Sequence, residues 1–331
     1  MSDKLRWGVI STAEIGTRAV IPATQRSERG EVVAIASRDK ARAEEIAEQL
    51  GIATAHGSYE ALLEDPNVDA VYIPLPNHLH AEWTMAAAAA GKHVLCEKPL
   101  AMSAAQAQEV VDACAEAGVK MAEAFMYRQH PQWVKTMEIV ASGRLGQLTA
   151  VNTWFSYNNT DAENIRNIPE FGGGAVMDIG CYCINLSRML FGAEPDEVQS
   201  LVYRHPQFGT DVLTSAMLRF GDAQATFTCS TVVEDYQRVH VFGSEGRLEI
   251  EIPFNAPNDR PTRLFVAQGG DPPVAPDVEV FEFPVVDHYS LQADAFAAAV
   301  LDGADVPLSN ADSVANMAII DAVFAAEKGA G

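Results

Sequence analysis

The first 125 residues alternate short apolar runs with helix-patterned segments, and this alternation constrains the fold more than any other feature of the chain. Leu5–Ile10, Val32–Ser37, Ala70–Pro74, His93–Cys96 and Lys120–Glu123 read as strands, while Ile15–Ser27, Arg42–Leu50, Tyr59–Leu63, Ala81–Ala90 and Ser103–Ala117 read as helices. Strands alternating with helices build βαβ units and hence a parallel sheet, and right-handed crossovers put the helices on both of its faces. From residue 126 the pattern changes. A helix at Pro131–Ser142 closes on Gly143 and Gly146. Strands then dominate, at Gln147–Tyr157, Glu197–Arg204, Leu213–Phe220, Ala223–Val232, Gln237–Phe242, Arg247–Ile252, Thr262–Ala267 and Glu279–Pro284. Gly221-Asp222 and Gly243–Gly246 supply hairpin turns, and the alternation in Ala225–Thr231 and Arg238–Phe242 fits a sheet with one buried and one spare face. Helices at Tyr289–Leu301 and Asn310–Lys328 follow, and segment 254–277, rich in Pro, Asn, Gly and Asp, reads as an exposed loop region around its strand. The expected architecture is an α/β domain over residues 1–125 and an α+β domain over 126–331 with a large, mostly antiparallel open sheet.

Charge narrows the partners. Acidic residues outnumber basic ones by 45 to 23 in 331 residues, a formal charge of −22. Such a surface repels phosphate backbones and anionic lipid, so neither nucleic acid nor membrane is an expected partner. The five cysteines are odd in number and lack metal-ligand spacing, so they read as buried free thiols in a reducing compartment, with no metal site. The chain begins without a signal-peptide pattern and no apolar run reaches the roughly 18 residues of a membrane span, which together predict a cytoplasmic protein.

The first strand leads through Ser11-Thr12-Ala13-Glu14-Ile15-Gly16 into a helix. A dinucleotide-binding turn needs small residues at three positions: one for the tight bend, one for close approach of the pyrophosphate and one for helix–strand packing. Ser11, Ala13 and Gly16 stand there, and the backbone N–H groups around Thr12–Ile15 would hold the pyrophosphate. The second strand ends in Ser37-Arg38-Asp39-Lys40-Ala41-Arg42. A hydroxyl beside a planar guanidinium suits the adenosine 2′-phosphate of NADP. Asp39 is either the N-cap of a basic helix start or an acceptor for a ribose hydroxyl, which leaves NAD as the lesser expectation.

Two further strand ends carry polar residues where ligands sit in open α/β sheets: Pro76-Asn77-His78-Leu79-His80 and Glu97-Lys98-Pro99. Further on, Gly172-Gly173-Gly174 precedes a helical run with Asp178, Tyr182 and Asn185. Asp178 and Tyr182 are four apart and share a helix face. That face offers one candidate acid/base and two orienting groups. A free tyrosine titrates near about 10, and a neighbouring lysine stabilises its phenolate.

These residues together resemble the GFO/IDH/MocA oxidoreductases: the βαβ start with a degenerate glycine motif, Glu97-Lys98-Pro99, and Gly172–Gly174 followed by Asp178-Ile-Gly180-x-Tyr182. Many members carry histidine at the position of Tyr182. Tyrosine there, with Phe125–Pro131, Ile165-Arg166 and Cys181–Asn185, is similar to the branch of NADP-dependent D-xylose dehydrogenase and dimeric dihydrodiol dehydrogenase. The resemblance implies a Rossmann NADP-binding domain and a substrate-binding domain whose open sheet builds a homodimer or homotetramer. It implies Lys98, Tyr182 and Asp178 as catalytic residues, a cis Lys98–Pro99 bond, and Arg128, His130, Arg166 and Asn185 beside Asp178 at the substrate. The expected cofactor set is Ser11, Thr12, Ala13, Glu14, Ile15, Ser37, Arg38, Arg42, Pro76, Asn77, His80, Glu97 and Lys98. Ser11 and Ala13 depart from the glycine motif. The expected activity is hydride transfer between NADP and a sugar, polyol or cyclic diol. The alternatives are a keto-sugar or deoxy-sugar reductase of the same family, or a nucleotide-binding redox sensor without turnover.

Overall fold

The computed structural model describes residues 4–269 and 278–327. The chain forms two compact units, one of residues up to Met126 with Asp287–Met317, the other of Tyr127–Val286 with the residues from Ala318 on.

In the first unit the order is β1 (Leu5–Ile10), a π-helical turn (Gly16–Val20) running into α1 (Ile21–Arg26), β2 (Gly30–Ala36), α2 (Lys40–Leu50), β3 (Thr54–His56), α3 (Tyr59–Leu63), β4 (Ala70–Ile73), α4 (His80–Ala89), β5 (His93–Cys96), α5 (Ala104–Glu116) and β6 (Met121–Glu123). The strands form one parallel sheet in the order β3-β2-β1-β4-β5-β6. Every residue of β4 is buried, as expected of a strand covered on both faces. β3 is a sixth strand absent from the sequence reading. It has three half-buried residues, too few to show a period. Helix starts follow local chemistry: Asp39, Ser58 and Ser103 accept N-terminal amides of α2, α3 and α5, and Gly51 closes α2 in the left-handed region.

The second unit begins with α6 (Pro131–Ala141) and β7 (Leu148–Asn158). A π-helical turn (Val176–Gly180) runs into α7 (Cys181–Phe191), followed by β8 (Glu197–Arg204), β9 (Asp211–Phe220), β10 (Ala223–Ser230), β11 (Val232–Gly243), β12 (Gly246–Ile250), β13 (Thr262–Gln268) and β14 (Val278–Phe283). These eight strands lie in the order β14-β13-β12-β11-β7-β10-β9-β8, antiparallel apart from the β7–β10 pair. In β9 Thr214, Ala216, Leu218 and Phe220 are buried while Met217 and Arg219 between them are exposed. Across the registers the spare face carries Leu201, Met217, Trp154 and Phe242, all exposed. Within segment 254–277, Phe254 is fully buried and not part of an exposed loop. Residues 270–277 of that segment, and Lys328 at the end of the last anticipated helix, lie outside the described residues.

The chain closes with α8 (His288–Leu301) and α9 (Asn310–Ala325). The sequence reading divided the chain once, at residue 125, whereas Asp287–Met317 belong to the first unit. Phe296 and Ala297 of α8 enter that unit's core, with the Phe296 ring 5.3 Å from Trp7, and Arg26 pairs with Asp287 at 2.6 Å. A helical period shows that a helix has an apolar face but not which sheet that face covers. All five cysteines are free and buried. No helix among the described residues is long and apolar enough to cross a membrane.

Candidate active site

In the first unit, the carboxyl ends of β1, β2, β4 and β5 bring most of the anticipated cofactor residues to one edge of the sheet. Ser11 follows β1 with φ +102°, a region that favours glycine. The bend demanded by the motif is therefore made without its usual residue. The Ser11 amide donates to the Ala36 carbonyl at 3.0 Å, and its hydroxyl accepts from the Ala13 amide at 3.2 Å. Gly16 packs behind the turn, where an added Cβ would meet Pro74 at 3.4 Å. Thr12, Ala13 and Ile15 are half-buried, and Glu14 is exposed in a pair with Arg18 at 2.5 Å.

At the end of β2, Asp39 is the N-cap of α2, its Oδ1 accepting from the Ala41 and Arg42 amides at 3.0 and 3.3 Å. Ser37 accepts from the Asp39 amide at 3.1 Å, Arg38 is exposed, and Arg42 pairs with Glu45 at 2.6 Å. After β4, Pro76 and Asn77 are half-buried.

His80 is different. It is fully buried, its Nδ1 lies 2.7 Å from the Pro99 carbonyl and its Nε2 2.7 Å from the Leu75 carbonyl. Burial lowers its pKa to about 4. Of the residues expected at the cofactor, His80 is the one that lies fully buried, its two ring nitrogens facing backbone carbonyls of two loops. The Lys98–Pro99 bond is cis. Glu97 accepts from Tyr72 Oη at 2.7 Å and from the Lys98 amide at 3.2 Å, and the Leu100 amide donates to buried Glu123 at 2.9 Å. Tyr72 and Glu123 have no motif of their own and were not anticipated.

In the second unit, Asp178 and Tyr182 straddle the junction of the π turn and α7, so the regular α-helix assumed for their spacing is widened by one turn. Gly174, at φ +127°, opens this segment and leaves room for the Asp211 carboxylate, which accepts from the Val176 amide at 2.7 Å. Asp178 Oδ2 accepts from Tyr157 Oη at 2.5 Å and from Arg166 Nε at 3.0 Å. The Asp178 charge holds the Arg166 guanidinium further above its ordinary range, and burial raises the Tyr157 phenol. Tyr157, on β7, carries no sequence signal beyond strand alternation.

Tyr182 is 5 % exposed, packed against Tyr127, Phe155 and Phe254 at 5.3–5.8 Å between ring centres. Asn185 is fully buried, accepting from Tyr127 Oη at 2.6 Å and from Arg128 at 3.4 Å. His130 departs from expectation. It is 1 % exposed, caps α6 by accepting the Gln132 amide at 3.2 Å, and burial lowers its pKa to about 4.

This geometry meets known proteins at every level. Residues 5–125 match the GFO/IDH/MocA oxidoreductase family model, described as an NAD-binding Rossmann fold, and residues 133–249 match the GFO/IDH/MocA C-terminal domain. A D-xylose 1-dehydrogenase (NADP(+)) from Haloferax volcanii is 43 % identical over 329 residues, 98 % of each chain. A trans-1,2-dihydrobenzene-1,2-diol dehydrogenase from Homo sapiens is 34 % identical over 263 residues, 77 % of each chain. The crystal structure of a 3-ketoreductase from Actinomadura kijaniata in complex with NADP and TDP-benzene aligns with a TM-score of 0.91 and 32 % identity over 98 % of both chains. With both domains matched in order and a relative this similar along 98 % of the chain, the protein belongs to the GFO/IDH/MocA family of NAD(P)-dependent oxidoreductases.

Proposed function

We propose that the protein is an NADP-preferring dehydrogenase that oxidises a hydroxyl-bearing carbon of a sugar, polyol or cyclic diol, with Tyr182 and Lys98 as its acid/base pair. The observation that carries the reading is the segment holding Asp178 and Tyr182. A phenol is held in an aromatic nest, and a carboxylate on the same segment is fixed by Arg166 and Tyr157. The residues of the first unit fit the cofactor. The Ser11 turn has the bend, Gly16 the packing, and with Asp39 spent as a cap the Ser37 hydroxyl and the exposed Arg38 guanidinium would meet a 2′-phosphate.

When bound, NADP accepts the hydride. The protein's share is proton handling and orientation. Tyr182 takes the hydroxyl proton, and the Lys98 ammonium stabilises the phenolate. Asp178 accepts from a neighbouring substrate hydroxyl and fixes which carbon reacts. Arg166, 43 % exposed in its side chain and tied to Asp178 through Nε, and Arg128, seated on Asn185, supply further donors. Names of relatives support the substrate class: a D-xylose dehydrogenase and dihydrodiol dehydrogenases. Run in the reverse direction, the same groups would serve a keto-sugar reductase, the activity named for a relative from Actinomadura kijaniata that is 34 % identical.

The spare sheet face, with Leu201, Met217, Trp154 and Phe242 exposed across paired strands, supports a homodimer or homotetramer through this sheet. Light scattering on wild type and Trp154→Glu tests it; a monomeric wild type overturns it.

A panel of D-xylose, other aldoses and cyclic trans-diols, each with NADP+ or NAD+, tests the activity. Turnover is expected with NADP+ on at least one aldose or diol, with kcat/KM roughly tenfold or more above NAD+. NADP+ binding without turnover on any of them supports the sensor reading instead.

A further inference from the structure

We propose that His80 and Glu123 are positioning residues that fix the Lys98–Pro99–Leu100 turn, one through the Pro99 carbonyl and the other through the Leu100 amide, and thereby set the place of the Lys98 ammonium. The inference rests on the reading of Lys98 as a catalytic group.

Lysine is the least self-positioning of catalytic side chains, a point charge on four methylenes. Its aim is inherited from its backbone, so whatever holds residues 98–100 matters to the charge. Two buried polar side chains meet that backbone. Glu123, 1 % exposed at the end of β6, accepts the Leu100 amide at 2.9 Å. His80, fully buried at the start of α4, lies 2.7 Å from the Pro99 carbonyl. The other His80 nitrogen lies 2.7 Å from the carbonyl of Leu75, just before Pro76 and Asn77. The ring therefore stands between the loop after β4 and the turn after β5. A buried carboxyl or imidazole costs free energy unless its bonds are made, so such groups persist where they hold something in place. Apolar packing alone would cover this turn more cheaply.

The charges facing His80 are Lys98 and His78, both of which disfavour a second proton on the ring. The neutral ring has one N–H. It donates to only one of the two carbonyls at a time, so a glutamine amide, which keeps an N–H donor, can replace it there.

The test reads Lys98 directly. The chain has few lysines, so reductive methylation with isotope-labelled formaldehyde gives a short set of dimethyl-lysine NMR signals, and Lys98→Arg assigns the relevant one. In Glu123→Met the Lys98 signal is expected to move and its titration midpoint to shift by about half a unit or more. Glu123→Gln, which keeps an oxygen acceptor for Leu100, should stay near wild type. His80→Gln should also stay near wild type and His80→Phe should shift. In the turnover assay, Glu123→Met should lower kcat by roughly tenfold or more while the NADP+ Kd changes less than about twofold, since a displacement of about 1 Å is enough for such a loss. A Lys98 signal and midpoint identical in wild type, Glu123→Met and His80→Phe overturn the proposal. So does an equal shift in Glu123→Gln and Glu123→Met, which would make charge and not grip the cause. If Glu123→Met does not fold, the His80 pair decides alone. Lys98→Met with wild-type kcat would overturn the catalytic reading of Lys98 while the NMR result still judges the grip.

Discussion

The two units hold their functional groups by different means. In the first, the groups stand at strand ends and are fixed mainly through backbone. Ser11 bridges to Ala36, Asp39 caps α2, and the Lys98 turn is held at its carbonyl and amide. In the second, side chains hold side chains. Tyr157 and Arg166 grip Asp178, Tyr127 grips Asn185, and aromatic rings enclose Tyr182. Backbone-held groups depend on turn geometry and tolerate side-chain change. Side-chain-held groups depend on particular atoms, and removing one atom leaves the fold intact while removing the chemistry.

The sharpest test of that contrast is Tyr182→Phe. It keeps the ring's packing against Tyr127, Phe155 and Phe254 and deletes only the hydroxyl. Loss of a general acid–base group lowers kcat by roughly 10²–10⁴-fold, with NADP+ affinity nearly unchanged. Lys98→Met should lose a comparable factor, and the double variant little more than either single one, because residues acting together are non-additive. Single-turnover hydride transfer at saturating NADP+ checks this; a near wild-type rate in Tyr182→Phe would make the phenol packing only.

Arg38→Ala makes the corresponding cut in the first unit. Hydrogen bonds to a charged group contribute about 1.5–3 kcal/mol, so NADP+ affinity should fall roughly tenfold to a hundredfold and NAD+ affinity should hold. Equal losses for both cofactors, measured by titration of protein fluorescence, would show that Arg38 does not face the 2′-phosphate.

The same contrast explains what could be read from the sequence. Alternating strands and helices pointed to the parallel sheet and to five of its six strands, and apolar runs broken by turns pointed to the eight strands of the second sheet, with clear alternation in Ala225–Thr231 and Arg238–Phe242. Ser11, Ser37, Arg38, Lys98, Asp178 and Tyr182 were picked out because motif spacing lies along the chain. The burial of His80 against carbonyls and the cap made by His130 were not legible, because sequence does not distinguish a histidine facing solvent at a strand end from one buried against backbone. Tyr157 and Asp211 escaped notice because their partners lie 21 and 35 residues away. The return of α8 to the first unit has the same cause, since nothing local to 287–317 names the sheet it covers.

Asp211 offers a pH test of the second unit. It is 1 % exposed, and burial raises its pKa from 3.8 to about 7 despite its bond from Val176. Arg204 favours its ionised form, and the neighbouring thiol Cys229 feels its charge. A carboxyl with a raised folded pKa binds its proton more tightly in the native state. Its contribution to stability is fully present below the unfolded pKa and is lost as pH rises through about 7. The Tm difference between wild type and Asp211→Asn should therefore change between about pH 4 and 7, wild type losing ground as pH rises, and be constant above. A difference independent of pH across that window would place the Asp211 titration elsewhere.

The smallest effect, and the one that most directly tests a backbone-held site, concerns Ser11. At φ +102° a residue with a Cβ is strained, by roughly 1–3 kcal/mol in sparsely populated regions. Its hydroxyl offsets part of that by accepting the Ala13 amide at 3.2 Å and donating to the Pro74 carbonyl at 3.4 Å, both long bonds. Ser11→Ala keeps the strain and loses both bonds. Ser11→Gly loses both bonds and releases the strain, against the greater freedom of glycine in the unfolded chain, about 0.4–1 kcal/mol. At an ordinary position alanine is the more stable of the two. Here the order should invert, with Ser11→Gly more stable than Ser11→Ala by about 1 kcal/mol in denaturant unfolding. Neither change touches a side chain of the second unit, so the NADP+-saturated kcat of Ser11→Gly should stay near wild type. An alanine variant as stable as the glycine variant would mean that the turn relaxes without strain, and that Ser11 stands in the glycine position at no conformational cost.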